Sequence, residues 1–443
     1  MKIFFVSLGC DKNLVDSEVM LGLLRENNYT FTDDEYEADV IIVNTCGFIN
    51  DAKEESINMI LEMAKLKENN LKALIVTGCL TERYKAEIMK GIPEIDACLG
   101  TTAYDEIVNA VKRVTSGDRC EYYSEPDKLL CVNTNRVITT GGHYAYLKIS
   151  EGCDKNCTYC AIPKIRGKYR SYPMEYLITE ASKLAASGVK ELILVAQETT
   201  VYGVDLYGKK SLHILLKELC KINGIEWIRI LYCYPEEIYD ELIDVIKTED
   251  KICKYLDIPI QHANDKILRK MGRRMKNEDL RRIITKLRKE IPDICLRTTL
   301  ITGFPSETDE DFEEMMDFVD EMEFDRLGVF AYSAEEDTPA ALFDGQVDEE
   351  VKIRRRNLLM ELQQDISYDK GLDRVGNVYK VMIEGKLTDE EIYVGRTYMD
   401  CPGVDGLIFV KSPEEVLTGD FIYAKVTGAK EYDLIGEREY EFT

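Results

Sequence analysis

No stretch of the 443-residue sequence approaches the roughly 20 consecutive apolar residues of a membrane-spanning helix, so an integral helical membrane protein is excluded. Cysteine, at 14 residues, is too sparse for a disulfide scaffold. Basic charge is short as well: 57 Lys and Arg against 82 Asp and Glu leave a formal net charge of −25. Such a surface is repelled by phosphate backbones, although solubility alone accounts for the same balance. The opening run Met1 to Cys10 has too short an apolar segment and a single lysine for a secretory signal, and Leu8 is out of place for a lipobox. It reads as a buried first strand. A soluble chain in a reducing cytoplasm is the expectation for exposed thiols.

What is present is a loop, Gly152-Cys153-Asp154-Lys155-Asn156-Cys157-Thr158-Tyr159-Cys160, directly after the apolar run Tyr146-Leu147-Lys148-Ile149. Three thiolates on so short a loop can converge on one soft metal centre, with iron–sulfur clusters and zinc the usual occupants. Structural zinc normally closes with four ligands, and the chain has no second CxxC pair to supply them. Three ligands on a four-iron cluster leave one iron open to bind a substrate. Thiols that merely lie close together are the alternative.

Residues 1–100 alternate short apolar runs with helical patterns, the mark of a parallel α/β sheet. Strand-like runs are Lys2–Leu8, Val40–Asn44 and Leu71–Thr77, with helices near Asp16–Asn27, Ala52–Lys67 and Thr81–Met89. Each strand is followed at once by a cysteine: Cys10, Cys46 and Cys79. The carboxyl ends of parallel strands share one edge, where ligands bind in open α/β folds, so these three should meet in space. Gly9 and Gly78 allow the tight turns this needs. Asp16-Ser17-Glu18 reads as an N-cap followed by acidic residues in a first helical turn. Residues 101–140 read as a helix and then a polar domain boundary, where Cys120 and Cys131 belong to no motif.

From Tyr144 to about Asp373 the βα alternation resumes. Strands are expected at Ala145–Ser150, Glu191–Val195, Trp227–Leu231, Tyr255–Ile258, Cys295–Leu300 and Leu327–Ala331, with amphipathic helices between them. Polar strand ends mark the functional face of such a sheet: Gln197 and Glu198 after the second strand, Gln261 and His262 after the fourth, and Arg297, Thr299 and Gly303 on and after the fifth. His262 reads as a hydrogen-bonded strut. Lys266 to Glu290 holds eleven Lys and Arg against three Asp and Glu, either a solvated helix pair balancing acidic neighbours or an RNA contact. Residues 373–443 alternate apolar and polar side chains over Val378–Lys386, Glu391–Thr397, Gly406–Val410 and Phe421–Lys425, a small antiparallel barrel. With 8 Lys and Arg against 15 Asp and Glu, it is a poor nucleic-acid grip.

The Cys-x3-Cys-x2-Cys loop with an aromatic before its last cysteine resembles the signature of radical S-adenosylmethionine (SAM) enzymes. Leu8-Gly9-Cys10-Asp11-Lys12-Asn13-Leu14-Val15-Asp16-Ser17-Glu18, Asn44-Thr45-Cys46 and Thr77-Gly78-Cys79, with a TRAM-like end, resemble the methylthiotransferases of that superfamily. The resemblance implies an α/β protein of three parts: a parallel α/β methylthiotransferase domain (1–125), a partial (β/α)6 radical SAM barrel (139–372) and a TRAM-like antiparallel β-barrel (373–443). It implies two [4Fe-4S] clusters, one on Cys10, Cys46 and Cys79 that carries sulfur, and a catalytic one on Cys153, Cys157 and Cys160 that cleaves SAM. Tyr159 would lie near the adenine, Gln197 near the methionine amino group, and Arg297, Thr299 and Gly303 near the ribose and carboxylate. Many members carry aspartate where this chain has Glu198.

Cys10-Asp11-Lys12-Asn13 and the segment Gly395 to Gly406 resemble the RimO branch, which adds a methylthio group to the β-carbon of an aspartate in small-subunit ribosomal protein twelve. That substrate is basic, and an acidic terminal barrel suits it. A reductant such as flavodoxin or ferredoxin is implied, and the sheet edge of the first domain should cap the mouth of the barrel. The alternatives are a tRNA-adenosine methylthiotransferase of the MiaB type, with tRNA as partner, and a redox-sensing iron–sulfur protein without turnover.

Overall fold

The computed structural model describes residues 1–130, 133–388 and 390–440. The reading of Cys131 lies outside the described residues. The first part folds as a six-stranded, all-parallel sheet in the order Thr30–Phe31, Lys2–Ser7, Val40–Thr45, Ala73–Gly78, Ala97–Leu99, Cys120–Tyr122. Val40–Thr45 and Ala73–Gly78 are buried at every position, because Met20, Leu24 and Val111 pack on one face and Ile60, Met63 and Leu80 on the other. The first strand is less enclosed than expected. Ile3 is fully buried but Phe4 to Val6 only half, since the outer neighbour is a two-residue strand. The stretch after residue 100 adds the strand Cys120–Tyr122, too short to show an alternation in sequence.

One helix start differs from the sequence reading. The helix expected at Asp16–Asn27 runs over Asp11–Glu26 with Cys10 as its N-cap, and Asp16, Ser17 and Glu18 lie buried inside it. Asp16 is no cap: its carboxylate pairs with Arg166, 150 residues further on.

The second sheet is also all-parallel, with Tyr144–Lys148, Glu191–Val195, Trp227–Ile230, Ile252–Asp257, Cys295–Thr302 and Arg326–Ala331 side by side in chain order. Its period-2 alternation separates two cores. Leu147, Leu192, Leu194, Ile228 and Leu256 face the amphipathic helices, whereas Tyr146, Ile193, Trp227, Tyr255 and Cys295 face Val381, Met382, Met399 and Cys401 of the carboxyl-terminal barrel. The 25-residue helix Glu349–Asp373 has no counterpart in the sequence reading, because the positions it buries include Lys352, Arg355, Gln363 and Ser367.

The terminal domain is a closed five-stranded barrel in the order Val378–Lys386, Ile392–Arg396, Ile408–Lys411, Leu434–Glu439, Phe421–Ala429. Four strands are the expected ones. The fifth, Leu434–Glu439, pairs parallel with Ile408–Lys411 and closes an otherwise antiparallel ring. Buried ion pairs bind this barrel to the second sheet. Glu191 receives Arg229 and Arg396, each at 2.8 Å, Asp400 receives Arg326 at 2.5 Å, and Asp405 receives Arg297 at 3.3 Å. Two of the barrel's acids are thus consumed internally and are not offered to a partner. Among the described residues no helix is long and apolar enough to cross a membrane.

Candidate active site

Strand register brings the first three cysteines together. Ser7 pairs with Asn44, Asn44 with Thr77 and Thr45 with Gly78, so Gly9-Cys10, Cys46 and Cys79 leave adjacent strand ends. Gly9 has φ +90°, and a Cβ there would sit 2.9 Å from Cβ of Cys46; Gly78 has φ +101°, and its Cβ would sit 2.5 Å from the Thr45 carbonyl oxygen. Both positions require glycine. Asn44 locks the turn by donating to the Asn13 carbonyl at 2.9 Å and the Ser17 hydroxyl at 2.8 Å. Burial pushes the Cys79 thiol up to about 12 against the opposing pull of Arg166, and raises Cys46 as well.

The second trio sits on a loop held from several sides. Cys153 donates its N–H to the Gly167 carbonyl at 3.2 Å, Thr158 donates its N–H to the Met271 carbonyl at 3.0 Å and its hydroxyl to the Lys270 carbonyl at 2.7 Å, and the Thr158 carbonyl accepts from Ala340 at 2.9 Å. Gly152, at φ +74°, touches the Lys168 carbonyl where a Cβ would stand. Burial pushes Cys153 up to about 11 and raises Cys160. A cluster bound at these thiols must displace a proton from each.

The donor sets suit iron–sulfur clusters. Every described cysteine is free. Within each trio the thiols feel one another's charge, Cys10 and Cys46 bearing on Cys79, and Cys153 and Cys157 bearing on Cys160. Among the described residues no group of three or more His, Cys, Asp or Glu converges tightly enough for a single metal ion. A four-iron cluster makes a different demand, one thiolate per iron, so its cysteines stand around a body several ångströms wide.

The two trios adjoin. Cys79 packs against Ala161 and Ile165, immediately after the second trio. Arg166, 1% exposed, donates to Cys79 Sγ at 3.4 Å, to Asn13 at 3.1 Å, to Asp16 at 2.7 Å and to Glu151 at 2.9 Å. Lys148 pairs with the same two carboxylates. A second bridge comes from the third strand of the barrel sheet. The Tyr234 hydroxyl lies 3.3 Å from Cys157 Sγ, and two residues earlier Tyr232 donates to Asp11 at 3.2 Å, beside Cys10.

These features agree with comparisons to known proteins. Family models match residues 2–100 ("Uncharacterized protein family UPF0004"), 147–319 ("Radical SAM superfamily") and 375–438 ("TRAM domain"). A ribosomal protein uS12 methylthiotransferase RimO from Lachnoclostridium phytofermentans is 64% identical over 99% of this chain and 100% of its own, and those of Acetivibrio thermocellus and Clostridioides difficile are 53% and 51% identical over 98% and 100% of this chain and 98% and 99% of theirs. The chain belongs to the RimO family. It is a radical SAM methylthiotransferase, a transferase whose superfamily uses SAM and a [4Fe-4S] cluster. Two solved radical SAM enzymes share the fold: TsrM from Kitasatospora setae, with TM-score 0.58 at 13% identity over 77% of each chain, and OxsB, with TM-score 0.52 at 13% identity over 80% of this chain and 56% of that one.

With the RimO family assigned, the remaining strand-end candidates can be placed. Tyr159 is half-buried and meets Phe304 edge-on at 6.5 Å. Gln197 donates to Glu151 at 3.3 Å and keeps a buried carbonyl oxygen without a partner. Glu198, 1% exposed, accepts from Thr200 N at 2.9 Å with one oxygen and leaves the other unpartnered, and burial pushes its carboxyl up to about 7. The Thr299 carbonyl accepts from Gln261, which sits at φ +74°. Gly303 gives its N–H to Glu307 at 3.0 Å. Arg297 is engaged by Asp257 at 3.0 Å and by Asp405. His262 is the strut it reads as, accepting from Asn264 N at 2.9 Å and facing Glu307 at 3.2 Å. Five of the eleven Lys and Arg of the basic segment are paired within the chain: Lys266 with Asp311, Arg273 with Glu236, Arg281 with Glu321, Arg282 with Asp279 and Lys286 with Asp240. Of the remaining described cysteines, Cys98, Cys120, Cys233, Cys253, Cys295 and Cys401 are buried and Cys220 half-buried.

Sequence reasoning misses Arg166, Tyr232 and Tyr234, and has Lys12 only as a member of the Cys10-Asp11-Lys12-Asn13 motif. The partners of Arg166 and both tyrosines come from other parts of the chain, which no local pattern reports. The one available signal for the tyrosines is position, since both follow the third strand at its carboxyl end.

Proposed function

We propose that this chain methylthiolates the β-carbon of an aspartate in ribosomal protein uS12, with Cys10, Cys46 and Cys79 holding one [4Fe-4S] cluster and Cys153, Cys157 and Cys160 another. The observation that carries this reading is the direct apposition of the two trios through Arg166 and Cys79, since sulfur transfer to a carbon activated at one cluster requires the other within reach. Bound SAM and its cluster supply an oxidising carbon radical that takes hydrogen from an unactivated carbon.

The chain's own residues orient and enclose. The unpartnered oxygens of Gln197 and Glu198 receive the cationic amino group of SAM, and Tyr159 packs its adenine against Phe304. Thr299 and Gly303 line the ribose side. Arg297, held by two aspartates, acts by fixing the terminal barrel more than by grasping a carboxylate. The domains divide near 125 and 139 and near 373. A cytoplasmic setting with a flavodoxin or ferredoxin reductant and a basic ribosomal substrate fits the thiol chemistry and the net charge of −25. Ion pairs engage five of the eleven Lys and Arg of 266–290, which leaves fewer of them for tRNA.

Mass spectrometry after anaerobic incubation of reconstituted enzyme with SAM, sulfide and reductant tests the reading. A gain of one methylthio group on the uS12 aspartate peptide supports it. An unchanged peptide, or methylthioadenosine in bulk tRNA, refutes it.

A further inference from the structure

The helix that starts at Asp11 carries a lysine, mostly buried along its length, with no acid partner among the described residues. Four lysines are nine-tenths or more buried: Lys12, Lys53, Lys148 and Lys352. Lys53 pairs with Glu335, Lys148 with Asp16 and Glu151, and Lys352 with Glu349. Lys12, 7% exposed, has none among the described residues; its Nζ sits 3.3 Å from the centroid of the Tyr232 ring. The π face attracts the ammonium but leaves its charge unneutralised and open to an anion. The Asp11 carboxylate next door accepts the Tyr232 hydroxyl at 3.2 Å.

Lys12 follows Cys10 by two residues and stands in the first turn of a 16-residue helix whose N-cap makes no side-chain hydrogen bond. Helix dipole and ammonium therefore favour an anion at the same place. Tyr232, beneath it, is two residues from Tyr234, whose hydroxyl touches Cys157. The cation lies on the bridge between the two trios, where the reacting carbon must be held.

We propose that Lys12 receives the side-chain carboxylate of the substrate aspartate and so selects it and orients its β-carbon. The inference rests on the uS12 reading above. It resolves a conflict of charge: an acidic protein attracts a basic partner at long range but repels the one anionic side chain on which it acts, unless a local cation is supplied. The carboxylate of SAM is the other anion of the same chemistry at this site, so the test must separate the two.

The experiment uses the full-length, anaerobically reconstituted enzyme, with isolated uS12 and its target Asp→Asn variant as ligands and SAM binding measured in parallel. Wild-type enzyme should bind the aspartate form about 30-fold more tightly than the asparagine form. Lys12→Met should bring the two within about twofold, and Lys12→Arg should retain most of the preference. Lys12→Gln, equally neutral and more polar, serves as the second variant if Lys12→Met does not load iron. A neutral variant with wild-type iron content that keeps the aspartate preference overturns the proposal. So does a neutral variant whose SAM affinity falls while that preference stays, which assigns the cation to the cofactor. If wild-type enzyme leaves uS12 without a methylthio group, the functional reading fails first and the proposal with it.

Discussion

Arg166 Nη2 stands 3.4 Å from Cys79 Sγ, joining the helix that follows one cysteine trio to a cysteine of the other. The same guanidinium holds Asp16 and Glu151. Both carboxylates are buried beside it with Lys148, and Glu151 is held well below the usual carboxylate range by Lys148 and Arg166, against the upward push of its burial. Removing one partner of such a cluster leaves uncompensated charge in a low dielectric, which costs roughly 3–5 kcal/mol. Arg166→Met should therefore lower the melting temperature strongly and deplete iron from the first trio, read by differential scanning fluorimetry and iron analysis. A variant with wild-type melting and iron content contradicts this account of the interface.

Gly9→Ala tests the close approach of strand ends. A methyl group at φ +90° is strained by itself and would lie 2.9 Å from Cβ of Cys46. Iron per chain should fall by roughly half, with the radical cluster intact, because only the first trio is displaced. SAM cleavage by the variant, followed by chromatography, should persist.

The two trios have different tasks, so their mutants should differ. Cys157→Ala should abolish reductive SAM cleavage. Cys46→Ala should leave uncoupled cleavage without methylthio transfer. Equal loss of cleavage in both, with both folded, would rule out the division of labour.

Glu198 predicts a pH dependence of stability. Burial raises its carboxyl from 4.5 to about 7 in the folded chain. A raised folded-state value means that folding binds the proton more tightly, so the stabilisation is complete below about 4.5 and is lost as pH climbs to about 7. The loss amounts to about 3 kcal/mol, from 1.36 kcal/mol per unit. Thermal melts of wild type and Glu198→Gln should diverge between pH 5 and pH 8, with the variant gaining relative stability at the higher pH. Parallel profiles would show that Glu198 is solvated or paired in solution.

Much of this architecture follows from local pattern. Val40–Thr45 and Ala73–Gly78 are unbroken apolar runs because both faces of the sheet are covered, and cysteines placed straight after parallel strands must share an edge. The Cys153 loop announces itself by spacing alone. Those features depend on neighbours within a few residues, or on periodicity, and a single sequence carries both.

The tertiary structure decided what those elements do to one another. Asp16 reads as a helix cap and is instead half of a buried ion pair, because its partner is 150 residues away. The terminal barrel reads as acidic by its total charge, yet two of its acids, Asp400 and Asp405, are neutralised by Arg326 and Arg297 inside the joint with the second sheet. Lys12 lies before the helix expected from sequence, and only the fold sets it in a first helical turn over Tyr232 with no acid partner among the described residues. Sequence determined the principal strands, most helices and the cysteine loops, since local sterics and periodic burial act along the chain, but not Glu349–Asp373, whose buried face carries Lys352, Arg355 and Gln363. Only folding determined which charges are matched, because desolvation and Coulomb energy depend on distance in space.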